Sequence, residues 1–411
     1  MNNSETFIIL HRRLKMGGIE TGSIEMMKNA LAHNKRTIWV GNVDKVYDKN
    51  FSNVINNPKL EFCPYNYSHL DLYKLPEFKV SSGEIITIVC FDIFKMFLAF
   101  KIRKQLKQNI VKVLFITPHF TGETIFCEES FSGLFKKVVK HFCGKIYLDV
   151  YSAGSLNFFS KTHAEVLEST YGITLPNSER YLVPNLSERM PFNYEKRRKV
   201  FNKKEFTIIS AGRFEFPHKG FLLGLVRVFA ELVHGYPHIK LLIIGDGPDK
   251  SILVELINSL DENVKSRICL RPPVTPEELS EIMRDCNLNI SVAGCATMGA
   301  RCGVLTLPAR HYNYDCEVYG FMPDSFGKTT SEEPGSPVKK FIVETLLMTE
   351  DEYVEKCYRS YAAYDSDICD VNYPFNQKQD TEWLPSMDVF IFIRFIYFIQ
   401  RLQYFFKNIF K

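Results

Sequence analysis

The chain has 411 residues, of which 24% are charged and 45% hydrophobic, and its formal net charge is +4. The composition is that of a globular protein, and the length fits two domains of roughly 180 residues each. The small positive excess argues against a nucleic-acid partner. The cysteines are scattered, without Cys-x-x-Cys pairs or metal-ligand spacing, so we expect reduced thiols and predict no metal or other cofactor.

Strand-like and helical segments alternate in the first half of the chain. A strand near the N-terminus leads through Gly17 and Gly18 into a helix on which Ile24, Met27 and Leu31 share an apolar face. Paired glycines are common in flexible turns, but they also let a ligand approach the backbone before a helix start that attracts phosphate. We predict further strands at 36–41, 84–92, 111–119 and 145–153, a helix at 94–106, and hence a parallel, doubly wound sheet.

A loop with two cations marks the second half. Arg213 and Lys219 stand in SAGRFEFPHKG, between a predicted strand at 205–210 and a predicted helix at 221–232. Cations above the carboxyl end of a parallel strand suit a diphosphate, although solvated surface cations are the simpler alternative. The alternation continues through a Gly-Asp-Gly-Pro turn and a helix that begins at Pro276, which predicts a second parallel sheet.

Three stretches of the chain are strongly basic. The KRRK run at 196–199 lies in the seam between the halves and is expected to be a solvated linker. The clusters at 101–112 and 135–145 are expected to be solvated helix faces, which an anionic lipid surface would attract. We place the domain boundaries at 1–185 and 186–375, followed by a final segment at 376–411.

These motifs resemble family 4 retaining glycosyltransferases of the GT-B fold. The similar stretches are GRFEFPHKG, FAEL, IIGDGPD, RPPVTPEEL and ARCGVLTLPA, with GGIE in the first half and a VPN element at Pro184 and Asn185. The resemblance implies two Rossmann-like domains that face a central cleft, with the acceptor in the first and a nucleotide sugar in the second. It implies that His119 positions or deprotonates the acceptor, unless this histidine is structural. The implied diphosphate contacts are Gly17, Gly18, Arg213, Lys219, Thr297 and Met298.

The chain departs from this family where the sugar is bound. Most members of this family carry two glutamates eight positions apart in a Gly-rich loop before a helix, one contacting the transferred sugar and one the nucleotide ribose. If 300–303 aligns with the family's MACG, Met298 stands in place of the second glutamate and the loop for the first is missing. Either Asp315 or Glu317 supplies the acid, or the protein has lost catalysis and only binds; the retained cations favour an active enzyme.

The final segment is rich in aromatic and basic residues. Charges interrupt it before the roughly 20 apolar residues that a spanning helix needs. We predict that 389–411 lies in the plane of an anionic membrane surface, with packing onto the enzyme's own core as the alternative. One predicted helical face holds Phe395, Phe398, Ile399, Leu402, Phe405, Phe406, Ile409 and Phe410, and the other holds Arg394, Arg401, Lys407 and Lys411.

The sequence therefore predicts a metal-independent, retaining glycosyltransferase. Its donor would be a nucleotide sugar and its acceptor a lipid-linked saccharide in cell-surface polysaccharide synthesis. We expect it in the cytoplasm, peripheral on the inner face of the membrane, because no cleavable signal follows Met1. The alternative is a catalytically degenerate sugar-nucleotide or glycan-binding partner of an assembly complex. A nucleotide-sugar epimerase of related fold fits less well, because it has no need of an aromatic, basic tail.

Overall fold

The chain divides into two compact units. One comprises Met1–Ser187 together with Asp370–Lys411, and the other Glu188–Cys369. The last segment of the chain therefore belongs with the first half. The computed structural model describes residues 5–12, 18–42, 52–67, 74–117, 133–159, 161–178, 183, 191–202, 204–322, 324–325, 333–365, 373, 379–380, 383–386, 389, 391–392, 394–396 and 398–399.

The first unit is built on a six-stranded parallel sheet of order β3-β2-β1-β4-β5-β6. Its strands are β1 (Glu5–Leu10), β2 (Arg36–Gly41), β3 (Leu60–Pro64), β4 (Ile85–Cys90), β5 (Ile110–Thr117) and β6 (Leu156–Phe158). Its helices are α1 (Gly18–Ala32), α2 (Ser52–Ile55), α3 (Ile93–Gln105), α4 (Gly133–Ser152) and α5 (Lys161–Tyr171). Ile8 and Phe7, neighbours on β1, belong to different hydrophobic clusters, so both faces of the sheet are covered. The predicted apolar face of α1 is buried in the second of these clusters.

The second unit contains a five-stranded parallel sheet of order β11-β10-β7-β8-β9. Its strands are β7 (Phe206–Ala211), β8 (Ile239–Ile244), β9 (Ile268–Arg271), β10 (Leu288–Ser291) and β11 (Leu305–Pro308), with a small antiparallel pair, β12 (Glu317–Val318) and β13 (Ser336–Pro337). Its helices are α6 (Tyr194–Phe201), α7 (Phe221–Val233), α8 (Lys250–Asn258), α9 (Glu262–Lys265), α10 (Pro276–Arg284), α11 (Ala293–Arg301), α12 (Val338–Leu346) and α13 (Glu350–Asp365). The prediction of two parallel α/β sheets is confirmed.

The strand predicted at 145–153 is wrong, because these residues continue helix α4 up to Ser152. Ile146, Tyr147 and Val150 are buried, whereas Lys145 and Leu148 are exposed, and this spacing follows the helical period. A short apolar run does not by itself distinguish a buried strand from a buried helix. The last strand of the sheet is the shorter β6.

The basic run at 196–199 is also not a linker, because it lies in helix α6. Arg197 is only 2% exposed. Its guanidinium donates hydrogen bonds to the backbone carbonyls of Cys286, at 3.2 Å, and of Arg284, at the end of α10. A buried arginine is stable here because it satisfies carbonyls that the end of a helix leaves without partners.

The tail packs partly onto the first unit. The described residues of 389–399 are helical, and Val389 and Ile396 are buried in the same cluster as the inner faces of α3 and α4. Ile399, on the predicted apolar face, is partly buried against that cluster, which agrees with the alternative that the tail packs onto the enzyme's own core. Phe395 and Phe398 remain about half exposed. The predicted tail residues Arg401, Leu402, Phe405, Phe406, Lys407, Ile409, Phe410 and Lys411 lie outside the described residues.

Candidate functional site

The second sheet has one point where the strand order reverses, between β7 and β10. Ligands of open α/β sheets bind at the carboxyl ends of such strands, because the two following loops diverge and leave a crevice. The loop after β7 carries Arg213 and Lys219, and helix α11 begins directly after β10. A Cβ atom on Gly212 would lie 3.9 Å from the Lys219 Nζ atom. The ammonium of Lys219 therefore stands over the backbone at the end of β7.

Lys219 is half-buried in this crevice. Burial lowers the pKa of its ammonium, and the nearby Cys295 and Glu215 only partly oppose this effect. Burial likewise raises the pKa of the Cys295 thiol, with Lys219 acting against it. An anion bound beside a desolvated ammonium favours the charged form of the lysine, so the crevice suits an anionic ligand.

Arg213 lies on the same loop but is more exposed. Its Nε atom lies 3.3 Å from the Oε2 atom of Glu215, and both side chains are about half exposed. An ion pair in such a position contributes little to stability because water screens it. Arg213 can therefore exchange Glu215 for a phosphate at small cost, and its planar guanidinium can donate two hydrogen bonds to it.

The loop with the cations is held by the turn after β8. The backbone N–H of Phe214, a fully buried residue, donates to the carbonyl of Asp246 at 2.9 Å, and the N–H of Phe216 donates to the Asp249 carboxylate at 2.6 Å. A Cβ atom on Gly245 would lie 1.9 Å from the carbonyl oxygen of Gly212. The glycine of this turn is thus required because two backbones meet there.

A chain of buried polar groups positions the start of α11. The N–H of Ala211 donates to the Ser291 hydroxyl at 3.2 Å, which donates to the Asn289 side-chain oxygen at 2.8 Å. The Asn289 amide then donates to the carbonyl of Cys295 at 3.1 Å. These residues were not predicted from the sequence, although two polar side chains within the buried strand LNIS were a usable signal. Ala293, the first residue of this helix, has a φ of 46°, an unfavourable value for a residue with a Cβ atom.

The segment that contains Asp315 and Glu317 packs beside the cation loop. The His311 Nδ1 atom lies 3.0 Å from the His218 Nε2 atom, and the N–H of Tyr312 donates to the carbonyl of His218 at 3.3 Å. Asp315 is exposed. The Glu317 carboxylate pairs with the Arg310 guanidinium at 2.7 Å and accepts the N–H of Gly335 at 3.2 Å. The sugar-binding role of either acid stays a prediction, and Glu317 would have to leave these partners.

The first sheet reverses its strand order between β1 and β4, and polar side chains follow both strands. His11 is 8% exposed, and its Nε2 atom lies 3.3 Å from a carboxylate oxygen of Glu20. Asp92 caps α3 by accepting the N–H of Lys95 at 2.8 Å. Burial opposes ionisation of Asp92, but the ammonium of Lys95 and the nearby His11 prevail, so the pKa of this carboxyl is lowered. This cluster was not predicted from the sequence, although His11 and Asp92, polar residues at the ends of two predicted strands, were the available signal.

No family model and no curated protein matches this sequence. Solved structures do match the chain in fold. A glycosyltransferase from Rickettsia africae ESF-5 aligns with a TM-score of 0.56 and 13% identity over 89% of this chain and 95% of that one. Anabaena Alr3699/HepE, in complex with UDP and glucose, aligns with a TM-score of 0.51 and 13% identity over 89% and 95%. WaaG, a glycosyltransferase involved in lipopolysaccharide biosynthesis, aligns with a TM-score of 0.50 and 12% identity over 88% of this chain and 95% of that one. The chain has the GT-B fold.

Within this GT-B fold the start of α11 differs from the pattern of the resembling family. Thr297 donates its hydroxyl hydrogen to the carbonyl of Gly294 at 3.0 Å. Met298, which aligns with a family glutamate if 300–303 aligns with MACG, is half-buried and packs against the cluster that contains Ile209 and Ala211. The position therefore holds a core-packing side chain. Contact of Thr297 and Met298 with the donor remains a prediction.

Several predicted residues lie outside the described part of the chain, namely Gly17, His119, Pro184 and Asn185. Gly18 is the first residue of α1, and β5 ends at Thr117, two residues before His119. Among the described residues, no group of three His, Cys, Asp or Glu side chains is placed to hold a metal ion. Metal independence stays a prediction.

Proposed function

We propose that this protein is a glycosyltransferase that transfers a sugar from a nucleotide-sugar donor without a metal ion and with retention of anomeric configuration. The observation that carries the proposal is the pair of cations, Arg213 and Lys219, on the loop where the second sheet reverses its strand order. When the bond from the anomeric carbon to the diphosphate breaks, its electron pair leaves with the nucleoside diphosphate. Preorganised cations stabilise this added charge. The acceptor oxygen bonds to the anomeric carbon, and its proton passes to the departing diphosphate.

Two structural neighbours support the choice of substrates. HepE is in complex with UDP and glucose, and WaaG is involved in lipopolysaccharide biosynthesis. We extend to this chain a nucleotide-sugar donor and a lipid-linked saccharide acceptor in cell-surface polysaccharide synthesis. In this proposal Gly17, Gly18, Thr297 and the backbone at Met298 complete the donor contacts, and His119 positions the acceptor.

The tail supports a place for the enzyme on the inner face of the cell membrane. Phe395 and Phe398 are 49% and 48% exposed, and Arg394 lies exposed between Ile391 and Phe395. Half-exposed aromatic rings beside cations suit the interface of an anionic bilayer. In the described part of the chain, no helix is long and apolar enough to cross a membrane.

One observation favours a second candidate function. Because Met298 packs into the core where the resembling family has a glutamate, the donor half lacks an acid at that position. A protein of this kind would bind a nucleotide sugar or glycan within an assembly complex without transferring the sugar.

One experiment separates the two functions. The purified protein is incubated with a panel of nucleotide sugars and a membrane lipid extract, products are identified by mass spectrometry, and nucleotide binding is measured by calorimetry. Arg213→Ala with Lys219→Ala is the test variant. Lys240→Ala is the control, because Lys240 pairs with Glu205 at the opposite end of β8. A product from wild type and control alone supports transfer, binding without any product supports the binding partner, and wild-type protein that binds no nucleotide overturns both.

A further inference from the structure

We propose that the tail and helix α4 form one composite surface, and that this surface docks onto an anionic phospholipid bilayer. The proposal rests on the proposed function and deepens it, because it adds a second element of the fold to the membrane contact. It also assigns the two sides of the tail helix to different partners. One side contacts the protein and the other contacts lipid.

The apolar residues of the tail helix fall into two adjacent stripes. Val389, Phe392, Ile396 and Ile399 recur at helical spacing and pack against the core of the first unit, with Ile396 only 1% exposed. Ile391, Phe395 and Phe398 form the second stripe and are 61%, 49% and 48% exposed. The first stripe fixes the helix to the protein, so the orientation of the second is set before any lipid is met.

Helix α4 carries an exposed stripe of its own. Leu134 is 78% exposed, Val138 40% and Leu148 38%, and Lys137 and Lys145 are exposed along the same side. The opposite side of α4 is buried, because Val139, Cys143 and Val150 belong to the core. An exposed stripe that mixes large aliphatic side chains with lysines is suited to the acyl boundary and the head groups of a bilayer.

The tail helix contacts helix α4 next to both exposed stripes. The ring of Phe142 on α4 lies 4.7 Å from the ring of Phe392 on the tail. Phe142 is four residues beyond Val138, so it lies on the flank of the exposed stripe of α4, and Phe392 lies next to the exposed Ile391. The tail therefore contacts the flank of α4 at Phe142, and both exposed stripes belong to the first unit.

Charge selects the occupant of this surface. Helix α4 contains four lysines, Lys136, Lys137, Lys140 and Lys145, against the single carboxylate of Asp149. On helix α3, burial lowers the pKa of the Lys101 ammonium, and the nearby Arg394 of the tail lowers it further. A second copy of the chain would bring the same cations against one another across a two-fold axis, whereas phosphatidylglycerol head groups neutralise them.

Vesicle sedimentation tests this surface with full-length variants. The tail variant is Phe395→Glu with Phe398→Glu, the α4 variant is Leu134→Glu with Val138→Glu, and the charge variant is Lys137→Gln with Lys140→Gln. The matched control is Ile252→Glu with Leu347→Glu, which alters two apolar side chains of the second unit that are 46% and 71% exposed. Unchanged thermal melting and unchanged UDP binding verify that each variant is folded.

On vesicles of phosphatidylcholine with phosphatidylglycerol, we expect the tail and α4 variants each to lose at least tenfold in partitioning, and the control to match wild type. Partitioning of the charge variant onto these vesicles should fall about five-fold for each lysine replaced at low salt, and less at high salt. If only the tail variant lost partitioning onto vesicles, the composite surface would be overturned and the tail alone would be the membrane anchor. Wild-type protein that fails to sediment would overturn membrane docking, while sugar transfer is judged separately by its products. A dimer in light scattering that the α4 variant dissociates would also overturn the proposal.

Discussion

The two parallel sheets place different chemistry at the same topological point. Where the second sheet reverses, the loop after β7 supplies the cations Arg213 and Lys219, and where the first sheet reverses, His11, Glu20 and Asp92 converge. The first set suits a departing diphosphate, and the second suits a neutral, hydroxyl-bearing ligand, because carboxylates and imidazoles accept hydroxyl hydrogens. Strand order determines where a ligand can bind on a parallel sheet, whereas the loop residues determine which ligand it is.

The largest expected effect tests the cationic side of this comparison. Arg213→Ala or Lys219→Ala is expected to lower turnover about 100- to 1,000-fold, because each removes stabilisation of charge that grows in the transition state. Turnover and thermal melting are measured together, with Lys240→Ala as the control. A double variant with normal kcat would show that the diphosphate leaves elsewhere.

A second prediction concerns the backbone that holds the cation loop. Gly245→Ala places a Cβ atom 1.9 Å from the carbonyl oxygen of Gly212, so the loop and the turn must separate. We expect a loss of about 3 kcal/mol in the free energy of unfolding, together with weaker nucleotide binding. Gly294→Ala is the matched control, because a Cβ atom there would meet nothing within 4 Å. Equal melting curves for the two variants would contradict the close approach.

A third prediction concerns the polar cluster at the carboxyl ends of β1 and β4 in the first unit. Glu20→Gln removes the carboxylate that lies 3.3 Å from His11, and we expect about tenfold slower transfer to acceptor with unchanged nucleotide affinity. His119→Ala is expected to act in the same way if His119 positions the acceptor. Calorimetry with UDP and product assays separate the two effects. Loss of nucleotide affinity in either variant would place the altered side chain on the donor or in the core.

A smaller effect concerns the pH dependence of nucleotide binding. The pKa of Lys219 is lowered from 10.5, chiefly by burial, so this ammonium loses its proton at a lower pH than an ordinary lysine. Because only the charged form binds the diphosphate well, affinity should fall several-fold as pH rises through this range below 10.5. Lys219→Arg keeps its charge and should flatten the decline. Parallel profiles for the two proteins in calorimetry would exclude Lys219 as the titrating group.

The smallest expected effect concerns Asp92. The pKa of this carboxyl is lowered from 3.8, so its ionised form stabilises the fold above about pH 4, and this stabilisation is lost as pH falls through the lower, folded value. Asp92→Asn keeps a side-chain oxygen for the cap but loses the pairing with Lys95. Because Asp92 is 36% exposed, we expect a loss of at most about 1 kcal/mol at neutral pH, shrinking below pH 4. Melting temperatures that differ equally at neutral and acid pH would contradict this account.

Strands and helices were predictable from the sequence where the hydrophobic pattern fitted only one type of secondary structure. The β-branched run of β7 and the helical spacing of α7 identified both elements that flank the cation loop. The segment 145–153 was not predictable in this way, because its mixture of aromatic and aliphatic residues satisfies a strand and a helix alike. The prediction that Arg197 lies in a solvated linker was wrong for another reason. Its burial depends on the carbonyls of Arg284 and Cys286 at the end of α10, which lie 87 and 89 residues further along the chain.

The sequence by itself determined the alternation of strands and helices in both halves, the loop that carries Arg213 and Lys219, and the aromatic, basic character of the tail. These features follow from residue type and local spacing. Only the tertiary structure decided that Met298 packs into the core, that His11 lies beside Glu20 at the end of β1, and which stripe of the tail is covered. The physical reason is that burial and hydrogen-bond partners depend on which distant segments the sheet order brings together, and no local pattern encodes that.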